Sequence, residues 1–426
     1  MSYKTEEIKK SVKLHCIKTE KFKTNLMAVF LTVPLDRKTV TYNAIIPAVL
    51  RRGTNNLNSQ EKISIELENM YGATFDCGVE KTGDNQILKF YLEMVNDEFL
   101  QTKESNLSKG INLLLDIIFN PLVDNNKFNE EYVKTEKENL KQVIEAKIDN
   151  KDRYAFERCI EEMYKNKIYG LYKYGYVEDL NKINGQNLYE HYRKLINTAK
   201  IDIFVSGNIK DDEVLNTVKQ NENIRKLEPR TDIHIVNAEK SSDFNEEDQK
   251  MVEEKMDVTQ GKLVIGTDVG LDEEDSKYKI ALYNVILGEG ATSKLFQNVR
   301  ERESLAYTAR SNYIKPKNNI YIRCGIEINN FEKAVNVIKE QLEAMKNGNF
   351  SKEDIENAKK YVIAGIKTTR EEQDAELTYY LGQELSDKFT TFEEYAEKIS
   401  KVTKDDIQKV AQNIKINTIY FLRGEK

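Results

Sequence analysis

Histidine carries most metal and proton chemistry near neutral pH, and this chain has three: His15, His191 and His234. No two are close in sequence, so a histidine metal or acid–base site would have to be assembled from distant segments. The four cysteines, Cys16, Cys77, Cys159 and Cys324, stand more than 60 residues apart with no C-x-x-C pair. They read as reduced, mostly buried thiols rather than a zinc knuckle or a disulfide framework. The motifs G-x-S-x-G, G-x-x-x-x-G-K-[ST] and H-E-x-x-H are absent. Gly288-Glu289-Gly290 followed by Ser293-Lys294 has residue types of a phosphate cradle but not its spacing. His191 stands three residues after Leu188 and four before Leu195, the pattern of a half-buried structural histidine on an amphipathic helix. His15 lies beside Cys16 near the chain start and His234 in the strand-like I-H-I-V, and neither makes a site by itself.

The elements that must position any site belong to a chain of 426 residues, long enough for two or three domains. Hydrophobic residues make up 39% and charged residues 32%, with 19 glycines and 5 prolines, which excludes collagenous, low-complexity and disordered classes. The net charge of −6 is spread in mixed sign, so nucleic acid is not an expected partner. The polar, Lys-rich start has no apolar signal region, and no run approaches the roughly 18 apolar residues of a membrane span. A cytoplasmic protein is expected.

The elements occur twice. Residues 26–33 read as a strand, followed by a turn and an apolar helical stretch over 42–50 that stops near Gly53. Residues 262–269, 271–276 and 278–287 repeat that order and stop at Gly288. A charged helix around Tyr71 then matches one around Tyr307 at an offset of 236, and each is followed by two strand-like runs. Downstream, Lys109 aligns with Lys333 at 224, the caps Asn184 and Thr403 at 219, and the closing glycines Gly207 and Gly424 at 217. The falling offset reflects small insertions in the first copy.

Each copy runs strand, helix, helix, strand pair, long helices, strand. The order implies an α+β protein of two homologous α/β sandwich units, each a mostly antiparallel sheet covered by helices. The expected limits are 1–220 for the first unit, a polar and partly extended linker over 221–257, and 258–426 for the second. Ser351 and Asp354 have capping-box spacing, ahead of an apolar stripe at Ile355, Ala358, Val362 and Ile366.

The stretch 288–313, GEGATSKLFQNVRERESLAYTARSNY, resembles the C-terminal domain of the insulinase, pitrilysin and mitochondrial-processing-peptidase family of zinc peptidases. In that family a glycine-rich turn leads into S-[KR]-L-F, then an arginine and, seven residues on, a tyrosine. Arg300 and Tyr307 fill those places, and the first copy matches through the proline after its first strand, Asn43 and Arg52-Gly53-Thr54. The resemblance implies the metallopeptidase, LuxS-like fold. Active members carry H-x-x-E-H on the first helix, ending about five residues before the Gly-Thr pair. Here Ala44 and Ala48 stand at the two histidine positions and Pro47 at the glutamate position. Val143 falls at the third-ligand position, with Glu138 and Glu145 close enough for a slipped register to change that assignment. Alanine and proline give zinc no lone pair and water no base.

The family includes members that divide these groups between two chains, and the resemblance implies the zinc-less kind. On that reading the chain holds no cofactor, and zinc sits in an H-x-x-E-H-bearing paralogous partner of a heterodimer. Arg300 and Tyr307 act in trans on an unfolded peptide substrate, the arginine on a backbone carbonyl and the tyrosine on the developing oxyanion. Gly288 and Gly290 let the backbone approach the extended peptide closely. Two alternatives stay open: a catalytically silent structural or peptide-binding module, and an independent zinc peptidase with a relocated site. Each residue also has a plainer role, with Arg300 a solvated helix charge, Tyr307 a core aromatic at a helix end and the glycines a helix cap.

Overall fold

The computed structural model describes residues 2–101, 105–228, 230, 235–236, 249–271, 273, 275–386 and 388–424, which form two compact units. Unit 1 comprises Met1–Glu145, Leu171–Asn237 and Glu371–Leu385. Its strands are β1 (Ser2–Lys9), β2 (Val12–Lys18), β3 (Thr24–Pro34), β4 (Thr74–Thr82), β5 (Asn85–Val95) and β8 (Lys200–Gly207), with a two-residue hairpin of β6 (Val123–Asp124) and β7 (Lys127–Phe128) apart. They lie in the order β1-β2-β8-β3-β5-β4, with β2 parallel to β8 and every other pair antiparallel. Its helices are α1 (Val40–Leu50), α2 (Gln60–Asn69), α3 (Asn106–Phe119), α4 (Glu130–Glu145), α6 (Val177–Leu180), α7 (Gly185–Thr198), α8 (Asp211–Gln220), α9 (Glu222–Lys226) and α13 (Gln373–Ser386).

Central strands β3 and β8 are buried along almost their whole length because both faces of the sheet are covered. Leu14, Val29, Leu31, Ile201 and Ile203 share one core with Ile45 and Val49 of α1, Leu114 of α3 and Leu188 of α7. The alternate residues point to the other face, where α13 lies. There Tyr380 stacks on Tyr3 at 4.2 Å and Gln373 Nε2 donates to Ser206 Oγ at 3.3 Å.

Unit 2 comprises Ala146–Gly170, Ala238–Arg370 and Ser386–Lys426. Its strands β9 (Lys250–Lys255), β10 (Gly261–Val269), β11 (Ala306–Ile314), β12 (Asn319–Ile326) and β13 (Ile414–Arg423) lie in the order β11-β12-β10-β13-β9, with β13 parallel to β9. Helices α10 (Ser276–Gly288), α11 (Phe331–Lys346), α12 (Lys352–Thr369), α14 (Phe392–Lys401) and α15 (Lys404–Gln412) build the core on one face. The other face is covered by α5 (Lys151–Met163), whose Ala155, Cys159 and Met163 pack with Val264, Tyr321 and Tyr420. Asp152 of α5 takes Arg310 at 2.8 Å and also pairs with Arg323.

The duplication is therefore visible strand by strand, with β4-β5-β3-β8-β2 of one sheet matching β11-β12-β10-β13-β9 of the other, parallel pair included. The order of the repeats predicts contiguous units, whereas the compact units are discontinuous. Helix α5, from the first half of the chain, belongs to unit 2, and its repeat counterpart α13 belongs to unit 1. Periodicity shows that a helix has an apolar face but not which sheet receives it. The expected linker also contains structure, since α9 belongs to unit 1 and β9 to the sheet of unit 2. Residues 229, 231–234 and 237–248, His234 among them, lie outside the described residues. Among the described residues, no helix is long and apolar enough to cross a membrane.

Candidate functional site

Helix α1 carries the positions where zinc ligands are expected. It is buried on nearly every side, packed against α4, α7, β4 and β5. Pro47 is the eighth of its eleven residues, deeper than the first turn, and it withholds the N–H that would bond the Asn43 carbonyl. The helix continues to Leu50, and Pro47 O accepts from Arg51 N at 3.2 Å and Cys77 Sγ at 3.3 Å. Burial pushes the Cys77 thiol up to about 12, so it is neutral at physiological pH.

Ala44, Pro47, Ala48 and Val143 offer no donor atom, and the polar side chains near them are already engaged. Asn43, on α1, donates through Nδ2 to Gln86 Oε1 at 2.9 Å and accepts at Oδ1 from His191 Nε2 at 2.7 Å. Gln86 Nε2 closes the group on the carbonyls of Val40 and Lys173. Burial, assisted by Lys194, lowers His191 to about 4, so its imidazole is a neutral structural donor. Glu136 on α4 is 5% exposed, paired with Arg52, and accepts from Asn139 Nδ2 at 3.0 Å. Val143 is 45% exposed on the same helix. These residues do not fit a zinc ion.

Among the described residues, one grouping with metal-ligand spacing lies elsewhere in unit 1: His15 on β2, Asp202 on β8 and Glu384 on α13. His15, which the sequence places near a plain polar start, is fully buried under α13. Its Nε2 donates to Asp202 Oδ1 at 3.1 Å, and its Nδ1 meets Tyr3 Oη at 2.9 Å and Thr5 Oγ1 at 3.1 Å. Two ammonium groups already neutralise the carboxylates. Lys200 Nζ lies 3.2 Å from Asp202 and 3.5 Å from Glu384, and Lys13 Nζ lies 2.8 Å from Glu384. A dication would sit against both lysines, so the cluster reads as a buried ion network that fastens α13 and β1 to the sheet.

Arg300 and Tyr307 lie on an irregular stretch of unit 2. Residues Phe296–Arg302 form a π-helix, a conformation that clusters at functional sites. Tyr307 does not end a helix as expected, because Ser304 with φ 52° breaks the chain and β11 begins at Ala306. The β11–β12 register shifts between Ala306 and Thr308, leaving Tyr307 as the extra residue of a bulge. Bulges re-aim side chains, and Tyr307 is 62% exposed rather than a core aromatic. Arg300 is likewise exposed, its guanidinium 4.5 Å from the Phe296 ring and its Nε 3.5 Å from Glu301. Both candidates thus project to solvent from one edge of unit 2.

The two glycines part company. Gly288 is buried, and a Cβ there would stand 2.5 Å from Ser311 Oγ and 2.6 Å from Ser311 N. The close approach it permits is to β11 within the unit, which corrects the expectation that it faces a peptide. Gly290 is exposed with φ +90°, a conformation that favours glycine; its carbonyl accepts from Ser293 Oγ at 2.8 Å, and among the described residues a Cβ there would meet Tyr361 at 3.9 Å. Tyr361 on α12 and Glu289 between the glycines have no motif to mark them in sequence. A cavity of about 320 Å³ in unit 2, lined by Tyr283, Lys339, Lys346 and Lys415 among others, includes none of these residues.

Comparison with known proteins places this geometry among relatives. Residues 182–362 match the family described as "Peptidase M16 inactive domain". The chain is 34% identical over 411 residues to the "Probable inactive metalloprotease YmfF" of Bacillus subtilis (strain 168), covering 96% of this chain and 95% of that protein. It is 22% identical over 320 residues to the "Uncharacterized zinc protease YmxG" of the same organism, covering 74% and 75%. The crystal structure of a conserved protein from Enterococcus faecalis V583 superposes with a TM-score of 0.91 at 27% identity, over 100% of this chain and 99% of that one.

Proposed function

The chain belongs to the M16 peptidase family, the insulinase, pitrilysin and mitochondrial-processing-peptidase group, and from that premise we propose that it is the zinc-less subunit of a two-chain processing peptidase. One observation carries the reading. The helix that would hold the metal offers Ala44, Pro47 and Ala48, while Arg300 and Tyr307 are held out to solvent by a π-helix and a bulge. Two irregular elements in succession cost backbone regularity that a purely structural edge does not need.

An extended, unfolded peptide passes along the edge of unit 2 that carries these side chains. The Arg300 guanidinium donates to a backbone carbonyl of that peptide, and the Tyr307 hydroxyl donates to the oxyanion that develops on the scissile carbonyl. Exposed Gly290 leaves room for the peptide backbone. The metal site belongs to a paralogous partner bearing H-x-x-E-H. In Bacillus subtilis the relatives include one named as an inactive metalloprotease and one named as a zinc protease, the two kinds of chain such a division needs. The working place of the complex is the cytoplasm.

The test is reconstitution. The purified chain is expected to bind no stoichiometric zinc and to cleave no peptide, and mixing it with an H-x-x-E-H paralogue from the same genome is expected to produce activity. Tyr307→Phe lowers that activity about a hundred-fold, the scale of losing one oxyanion donor, and Arg300→Ala lowers it through lost peptide binding. A partner equally active with or without this chain would favour the second reading, a catalytically silent peptide-binding or structural module, which the inactive-type relatives also support. One tightly bound zinc per chain by elemental analysis would revive a relocated site, against which Lys13 and Lys200 stand.

A further inference from the structure

The cavity of about 320 Å³ in unit 2 is lined by residues of α10, α11 and the start of β13, and shares none with the edge that carries Arg300 and Tyr307. Space of that size holds about ten waters or one small organic molecule. Leu342 of α11 and Ile414 and Ile416 of β13 give it an apolar wall. Tyr283 of α10 lines it too, although that residue is only 1% exposed. Burial, and after it the Glu343 carboxylate, pushes the Tyr283 hydroxyl far above the usual phenol range, so it stands as a neutral donor. A buried phenol ordinarily finds an acceptor, as Tyr192 does on Ile118 O at 2.7 Å and Tyr420 on Glu254 Oε2 at 2.7 Å. The Tyr283 hydroxyl has none among the described residues.

The charges around this donor do not cancel. Lys339, Lys346 and Lys415 line the cavity against one acid, Glu343. Lys346 Nζ takes that carboxylate at 2.6 Å. Lys339 on α11 and Lys415 on β13 have no side-chain ion pair or hydrogen bond among the described residues, which leaves two ammonium groups uncompensated. Exposed lysines alone are ordinary, but here they border a cavity whose buried hydroxyl is also unused. Two cations from separate elements, an apolar wall and a neutral donor are the complement of two anionic groups on an apolar body.

We propose that this cavity binds a small organic dianion, two carboxylates on an apolar body, of about ten to fifteen non-hydrogen atoms in all. Lys339 and Lys415 neutralise the carboxylates, the Tyr283 hydroxyl donates to one of them, and the apolar wall covers the body. The site stands apart from the peptide-binding reading, because it uses no residue of that edge.

The experiment titrates the full chain into isophthalate near neutral pH and low salt, and follows the ligand's ring protons by NMR. The uncharged isostere isophthalamide and the single-carboxylate benzoate are run beside it. Isophthalate is expected to saturate in the low-millimolar range or tighter, with benzoate about ten-fold weaker and isophthalamide not saturating. Lys339→Gln and Lys415→Gln, both at exposed positions, each weaken isophthalate about three-fold to five-fold. Tyr283→Phe keeps the buried ring, removes only the donor and weakens it about ten-fold. Lys360→Gln, at an exposed lysine of α12 outside the cavity, removes the same charge from the same unit and leaves binding unchanged. Isophthalamide binding as tightly as isophthalate, an equal loss in Lys360→Gln, or no loss in Tyr283→Phe overturns the site. So does the absence of saturation by isophthalate.

Discussion

Alanine at Gly288 tests whether the close contact between α10 and β11 is as tight as described. The added Cβ would stand 2.5 Å from Ser311 Oγ, 2.6 Å from Ser311 N and 2.8 Å from Leu295 Cδ1, where carbon contacts settle near roughly 3.5 Å or more. A rotamer change could withdraw the hydroxyl, at the loss of its bond to Asn284. The backbone nitrogen cannot withdraw, because Ser311 is paired with Ile322 in the β11–β12 ladder. Overpacking of this kind costs about 1–3 kcal/mol. The helix-propensity gain of alanine over glycine, up to about 1 kcal/mol in a helix interior, is smaller at Gly288 because it is the last residue of α10. The net expectation is a loss of about 1–2 kcal/mol, which lowers the melting temperature of a unit of roughly 200 residues by about 2–8 °C. Gly365 in α12 of the same unit is the internal control, because nothing lies within 4 Å of its missing Cβ. Gly365→Ala is expected to raise stability by about 0.5–1 kcal/mol. Differential scanning calorimetry of both variants in one buffer reads the two signs. Gly288→Ala as stable as the wild type, or both variants destabilised alike, would refute the steric argument.

Three further outcomes are expected. His191 is held near 4, so below its ordinary value of 6.5 the unfolded chain takes up a proton that the folded chain refuses. Stability is therefore full above about pH 6.5 and falls toward pH 4, and His191→Gln should flatten that slope in urea midpoints measured across the window. Burial pushes Asp202 up, but His15 and Lys200 outweigh it and hold the carboxyl below its ordinary range. Its contribution is thus present above about pH 4 and lost as pH falls through the folded value; Asp202→Asn is expected to cost about 3 kcal/mol at pH 7, less in acid, by chemical denaturation. Arg52→Met leaves buried Glu136 with Asn139 alone and should cost about 3 kcal/mol, most of which the double variant Arg52→Met/Glu136→Leu recovers in equilibrium unfolding.

Local features of the fold were legible where the physics is local. The strand over 26–33, the apolar helices before Gly53 and Gly288, the caps at Asn184 and Thr403 and the capping box at Ser351 all stand in the structure as the residues announce them. The order of repeats was legible too, because duplicated chains keep their sequence of elements. What stayed hidden depends on distant partners. Nothing in residues 151–163 says that α5 covers the sheet of unit 2, and nothing in the polar start says that β1 and β2 pair and bury His15. Around the candidate site, R-E-R-E reads as an ordinary charged helix. The π-helix and the bulge at Tyr307 arise from how that stretch meets β11 and β12, not from its own periodicity. Glu289 and Tyr361 were invisible for a simpler reason, since they come from segments about 70 residues apart with no spacing rule between them.

The exchange of α5 and α13 puts a clock on synthesis. By the time the chain has been made as far as Asn237, every strand of the first sheet exists, but the helix that covers its outer face ends only at Ser386. At about 5–20 residues per second, a ribosome needs roughly 7–30 s to make the intervening segment. For that interval Phe204, Phe30 and the His15–Asp202 ion network have no cover from α13. Nascent unit 1 thus carries an uncovered sheet face through every round of translation, and a gene cut between the halves would yield two fragments, each with a naked sheet and a stray helix.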